Sequence, residues 1–285
     1  MTRTRRFGLG CLTIFGLLIG YRIAYIYRWR AGDCITGAQP AKTSQAYPKR
    51  LVVMTYNIEG DAELLKGSKH IDDIAAVINQ VKPDIVGLNE VHRHTWQSRF
   101  HDQAERLQQL THMNGVFGRS YSELGGAFGN AMLTRGAILS SDVHNLPCAG
   151  EPRTLLETTL RIDGVTIQVY VGHVASWGGL NSSIRAKQLD CLGSHVRVSK
   201  YPHILTGDFN APPESSEIAA FRQMNTTLQI CGPALPITQR VMKKRIDYIF
   251  ADLGWQVRDA HVVEAGPSDH FPVVAELDHE ETPKR

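Results

Sequence analysis

Eight short apolar runs punctuate residues 51–277: LVVMTYNI (51–58), DIVGLNEV (84–91), AMLTR (131–135), TLLETTLRI (154–162), TIQVYVGHV (166–174), HILTGDFN (203–210), RIDYIFA (245–251) and FPVVAEL (271–277). Runs this short, apolar with little alternation and bounded by Gly, Pro and Asn, predict strands covered on both faces. Polar residues recur at strand ends: Asn57, Glu90, His173, Asp208 and Asn210. HIDDIAAVINQVK (70–82) puts Ile71, Ile74, Ile78 and Val81 on one helical face, and Pro83 stops it. Further helices are predicted over 101–113 and 182–196. Many strands, few helices and no strict βαβ alternation point to sheets packed face to face with helices outside. The strand-end polar residues would then gather at one rim.

The chain has 285 residues, 42% hydrophobic and 21% charged, which excludes a disordered or multi-span membrane protein. Its +3 charge is unevenly spread. Six of the 31 Lys and Arg lie in residues 1–30, which hold no acid, so the remainder carries 25 basic against 28 acidic residues. A body of about −3 lacks the bulk basic balance of a protein that grips many phosphates along a duplex. Residues 7–27 (FGLGCLTIFGLLIGYRIAYIY) form a basic-flanked apolar stretch of 21 residues interrupted only by Arg22. At about 1.5 Å per residue it is long enough to cross a hydrocarbon core. No small-x-small site closes it, so residues 1–30 are expected to be an uncleaved signal anchor with the body exported. A cleaved signal peptide, giving a secreted product, and a buried core helix are the competing readings. The turn-prone residues 31–49 read as a linker and residues 50–285 as one domain. The five cysteines form no CxxC pair; in an exported body two of Cys148, Cys191 and Cys231 could be bridged, or all could remain thiols.

Six signatures occur in a fixed order: MTYNIEG around Asn57, VGLNEV around Glu90, VGHVAS around His173, GDFN (207–210), RIDYIF (245–250) and SDHFPVV (268–274). In these the chain resembles the endonuclease/exonuclease/phosphatase superfamily, which includes deoxyribonuclease-like nucleases, abasic-site endonucleases, neutral sphingomyelinases and inositol polyphosphate phosphatases. The resemblance covers about residues 50–278. It implies a four-layer α/β sandwich, two packed and mostly antiparallel sheets flanked by helices. It also implies a divalent-metal-dependent phosphoesterase that attacks a phosphodiester or phosphomonoester with activated water.

Phosphoester hydrolysis needs a neutralised phosphoryl group, an activated water and a supported leaving oxygen. Hard oxygen donors suit Mg²⁺, with Mn²⁺ as a substitute. Glu90 is the leading metal ligand, with Asn57 and Asp269 beside it; alone, Glu90 would read as a solvated strand end. The resemblance gives Asp208 the nucleophilic water, Asn210 a phosphate oxygen, and Asp247 the orientation of His270 as base or phosphate contact. It gives His173 a phosphate contact or the leaving-group proton. Asn130 in FGNAMLTR and Arg153 in EPRTLLE match phosphate-binding segments. A silent phospho-ligand-binding module would lack one of these residues, and every position is filled.

Departures narrow the substrate. The tryptophan-rich motif and WCDR-like motif of inositol polyphosphate phosphatases are missing, and Asn89 stands where the resemblance expects Gln. Nucleic acid, a nucleotide or a phospholipid headgroup remain as substrate classes. The membrane is the expected partner of residues 1–30, with Trp96, Trp177 and Trp255 as candidate interfacial aromatics. His92 and His94 read as solvated. Lys243, Lys244 and Arg245 form a small basic cluster that could meet an anionic substrate.

Overall fold

The computed structural model describes residues 30–41, 46–123, 125–176 and 181–279. Its strands are β1 (Arg50–Asn57), β2 (Ile85–Arg93), β3 (Asn114–Glu123), β4 (Gly126–Thr134), β5 (Ala137–Asn145), β6 (Thr154–Ile162), β7 (Val165–His173), β8 (His203–Asp208), β9 (Leu228–Ile230), β10 (Asp247–Asp252), β11 (Gln256–Val262) and β12 (Val273–Asp278). Helices are α1 (Glu63–Lys66), α2 (Lys69–Val81), α3 (Gln103–Thr111), α4 (Asn181–Arg197) and α5 (Ser216–Met224). One six-stranded sheet runs β11-β12-β1-β2-β4-β3, the other β5-β6-β7-β8-β10-β9.

Along β1, side chains alternate between two apolar environments. Leu51 and Val53 enter the layer between the sheets with Ile85, Val169, Val171 and Ile249. Met54 and Tyr56 face the other way, onto Ile71, Ile74 and Ile78 of α2. Each of those isoleucines is essentially fully buried, a contribution of roughly 2 kcal/mol apiece. On the far side, Leu192 of α4 and Phe221 of α5 cover Tyr170 and Phe250. The result is helices, sheet, sheet, helices.

All strand pairs are antiparallel except β1/β2 and β7/β8. A parallel pair needs a crossover, and α2 and α4 lie in the chain segments that make the two crossovers. The carboxyl ends of the two parallel pairs open on the same rim. Close approach of the sheets behind it requires Gly87, where a Cβ would stand 2.0 Å from Thr206 Oγ1.

Residues 30–41 do not behave as the expected linker. Arg30 forms an antiparallel bridge with Cys148, Asp33 N donates to Asn145 O at 2.8 Å, and Ala41 N donates to Arg197 O at 3.0 Å. Cys34 is disulfide-bonded to Cys191 of α4, while Cys148 and Cys231 are buried thiols. The bridge therefore takes one partner, Cys191, from the three candidate cysteines of the body and the other, Cys34, from outside them. Trp255 is 2% exposed in the inter-sheet core, against Tyr47, so it is no interfacial residue; Trp96 is exposed and Trp177 lies outside the described residues. The apolar run 7–27 also lies outside them, and among the described residues no helix is long and apolar enough to cross a membrane.

Candidate active site

Irregular backbone aims the key side chains. The β2/β4 register shifts between Leu88 and Val91, and Glu90 there adopts φ +60°, a left-handed conformation rare for a residue with a Cβ. Asn210, just past β8, has φ +47°. Such strain persists where the surroundings hold it, commonly at functional sites.

Asp208 is the centre. Its Oδ1 accepts from Asn210 N at 2.8 Å, and its Oδ2 accepts from Asn57 Nδ2 at 3.1 Å. Two imidazoles face the same Oδ2 without touching it: His173 Nε2 at 3.7 Å and His270 Nε2 at 3.8 Å. Asn57 Nδ2 also donates to Glu90 Oε1 at 2.9 Å, and His173 Nε2 lies 4.0 Å from that oxygen. Asp247 Oδ2 accepts from His270 Nδ1 at 2.9 Å. The gaps near 4 Å leave room for a small ligand's oxygens among converging donors and acceptors.

The two imidazoles carry different charges. Burial opposes the His270 imidazolium, but Asp247, reinforced by Asp208 and Asp269, overcomes it and pushes the pKa up to about 10. Burial, then Arg153 and His270, drives His173 well below the ordinary histidine value. Arg153 Nη1 lies 2.7 Å from His173 Nδ1. The same Nη1 lies 3.1 Å from His173 Nε2, and Asn210 Nδ2 lies 3.3 Å from it, so donors face both ring nitrogens and oppose the ring's protonation. Burial and the neighbouring Asp247 raise Asp208 to about 7. A protonated His270 donates rather than accepts a proton, while the raised value of Asp208 brings its titration toward neutrality. In ring-carbon NMR titrations His270 should stay protonated at pH 8 and His173 neutral at pH 6, and Asp247→Asn should bring the His270 midpoint down. The His270–Asp247 contribution to stability is complete below about pH 6.5, the unfolded value, and should be lost as pH rises through about 10.

Asn57, expected among the metal ligands, is used otherwise: its Oδ1 accepts from Glu59 N at 3.1 Å while Nδ2 holds Glu90 and Asp208 together. Asn130 is not a phosphate contact either. Its amide is spent inside, donating to Thr154 O at 3.0 Å and accepting from Asn89 Nδ2 at 2.9 Å. Asn89 links the sheets: it also donates to Gly172 O and accepts from Asp208 N, each at 3.0 Å. It thereby sets the height of Asp208. Glu59 was missed. Its Oε2 accepts from Asp269 N and Lys66 Nζ, both at 3.1 Å, and its place two residues after Asn57 in MTYNIEG was the available signal.

Arg153 is 6% exposed, with Nη2 on Glu151 Oε1 at 3.0 Å, so its first task is to hold His173. Arg245 is buried, donating to Pro233 O at 2.7 Å over the Tyr248 ring, and leaves the proposed basic cluster. His92 is buried against Phe128, and burial lowers it to about 4; His94 is exposed.

The acid set fits a hard divalent cation. Burial raises Glu90, with Asp61 adding repulsion; burial, Glu59 and Asp269 raise Asp61. Carboxylates that destabilise one another's charge around one rim are what a bound cation would relieve.

The sequence profile of the endonuclease/exonuclease/phosphatase family matches residues 54–270. The chain belongs to this family. Its members are metal-dependent phosphoester hydrolases, and this chain is one. No curated protein sequence matches it. Solved structures of the family's fold do. An endonuclease/exonuclease/phosphatase from Beutenbergia cavernae DSM 12333 is 25% identical, with TM-score 0.69, over 81% of this chain and 72% of that one. D. rerio TDP2 complexed with a single-strand DNA product is 16% identical, TM-score 0.67, over 81% and 100%. A Bacteroides thetaiotaomicron VPI-5482 mannosyl-6-phosphatase is 20% identical, TM-score 0.66, over 80% and 99%. The fold thus serves proteins with quite different phosphoesters, and it does not choose among them.

Proposed function

We propose that this family member is a membrane-tethered, Mg²⁺-dependent phosphoesterase working outside the cytoplasm, with Asp208 as the base that activates water. The observation that carries the catalytic reading is Asp208 Oδ2 set between two imidazoles in different protonation states, neutral His173 at 3.7 Å and cationic His270 at 3.8 Å. Asp208 accepts a proton as the water oxygen bonds to phosphorus and the ester P–O bond breaks. The His270 cation donates to the phosphoryl oxygens, where negative charge gathers, with the neutral His173 ring beside it. Asn210 Nδ2, 3.3 Å from His173 Nε2 and 3.2 Å from Val174 O, stands beside them as a further donor. Glu90 and Asp269 would hold Mg²⁺, which would neutralise phosphoryl charge and support the leaving oxygen.

Full-length protein in detergent should hydrolyse bis-p-nitrophenyl phosphate with Mg²⁺ or Mn²⁺ and lose the activity in EDTA. Turnover that EDTA leaves intact would refute the reading. The raised pKa of Glu90 means that protons compete with the cation, so calorimetric Mg²⁺ affinity should strengthen from pH 5 to pH 8 with proton release.

Export is supported by the arginines flanking residues 7–27 and by the Cys34–Cys191 bridge, since disulfides persist in oxidising compartments. Just beyond Glu90, Trp96 is 48% and Phe100 64% exposed, and Leu65 on the neighbouring α1 segment is 88% exposed. Arg99 Nη2 donates to Leu64 O and joins the two segments. This apolar rim with its arginine favours a phospholipid headgroup over duplex DNA. Phosphate release from liposomes compared with plasmid relaxation separates the two, and a steep salt dependence would favour the nuclease.

A further inference from the structure

We propose a second metal site, of the zinc class, formed by His144 of β5, Glu157 of β6 and His195 of α4. One donor atom from each lies within 4.8 Å of the others. His144 Nε2 is 2.9 Å from Glu157 Oε2, and the His144 and His195 rings stack at 3.9 Å. Two imidazoles and one carboxylate are a donor set suited to Zn²⁺, which leaves a fourth position for water. Donors about 2.0–2.1 Å from a tetrahedral Zn²⁺ stand about 3.4 Å apart with converging lone pairs, so binding would turn the two stacked rings out of their 23° near-parallel arrangement. These residues are separate from the Asp208 group.

A second observation supports the site independently of the cluster. His195 Nε2 lies 2.6 Å from the Asp33 carbonyl oxygen. A carbonyl only accepts, so Nε2 carries the ring proton and Nδ1 keeps its lone pair. Metal-bound histidines are commonly fixed in this way by a backbone carbonyl. The ring is 5% exposed. Asp33 also ties the site to the N-terminal strap. Its Oδ2 accepts from Asn145 N at 2.8 Å, and Cys34 beside it is bridged to Cys191, one turn before His195 on α4. A bound Zn²⁺ would therefore pin the edge strand β5, α4 and the strap together. It would act on stability and leave phosphoester chemistry to the Asp208 group.

The test uses EDTA-stripped full-length protein in detergent, titrated with Zn²⁺ under excess Mg²⁺. The parent should retain about one equivalent of zinc through gel filtration and melt at a higher temperature with it. His144→Gln and Glu157→Gln, on different strands, should each weaken zinc binding at least about tenfold. Both should melt like the parent in EDTA and keep Mg²⁺-dependent hydrolysis within about twofold. With Co²⁺, ring signals of His144 and His195 should broaden in the parent. Zinc that survives both variants but is lost in Glu90→Gln would place it in the catalytic group and overturn the proposal, as would a parent that retains none.

Discussion

Asp208→Asn should lower kcat by about 10³-fold or more while raising thermal stability at pH 8. General-base catalysis contributes about 10²–10⁴-fold, and the substitution also blunts the electrostatic grip on His270. The amide keeps the shape of the carboxylate, but its single oxygen can accept from only one of Asn210 N and Asn57 Nδ2, and the lost bond offsets part of the stability gain. The stability sign follows from the pKa. Burial and Asp247 raise Asp208 to about 7, so the folded state holds its proton more tightly than the unfolded chain, whose value is about 3.9. Above pH 7 the folded protein bears a desolvated charge beside Asp247 that the unfolded chain solvates freely. Removing it should raise the melting temperature by a few degrees at pH 8, and by less at pH 4. Activity assays with calorimetry at both pH values check this. A variant that keeps parental kcat would remove Asp208 from the mechanism.

Cys34→Ser should produce the largest loss of stability. The bridge joins residues 157 apart, and in the chain-entropy view a loop of that size is worth about 5 kcal/mol, with about 2–5 kcal/mol typical for a native disulfide. Denaturant titrations should show a lower midpoint in Cys34→Ser and in the reduced parent, but no added effect of reductant on the variant. The loss includes the strap contacts at Asn145, Ser194 and Arg197, because the bridge holds Asp33, Ile35 and Ala41 near their partners. If the strap were a loose linker, as its composition suggests, opening the bridge would leave the midpoint almost unmoved.

The legibility of this fold divides cleanly by position in the sheets. The eight apolar runs correspond to β1, β2, β4, β6, β7, β8, β10 and β12, all interior strands. The four unread strands, β3, β5, β9 and β11, are the four sheet edges. An interior strand is covered on both faces over most of its length and reads largely apolar, whereas an edge strand such as β5, AILSSDVHN, is solvated and carries the Ser, Asp and His of a loop. Helix α2 was readable to within a residue because its isoleucines keep helical spacing and Pro83 ends it.

The site was legible in its membership and less so in its roles. Residue types at successive strand ends determined that acids, amides and imidazoles would meet at one rim, because strand direction alone carries chain ends there. Tertiary structure decided what each does. Asn57 and Asn130 are amides whose function depends on which buried groups need partners, and those partners come from other strands. His173 and His270 are the same residue type; only burial beside Arg153 in one case, and beside Asp247 in the other, makes one neutral and the other a cation. The bridge from Cys34 to Cys191 was likewise beyond sequence, since pairing depends on the spatial approach of two chain segments that spacing does not encode.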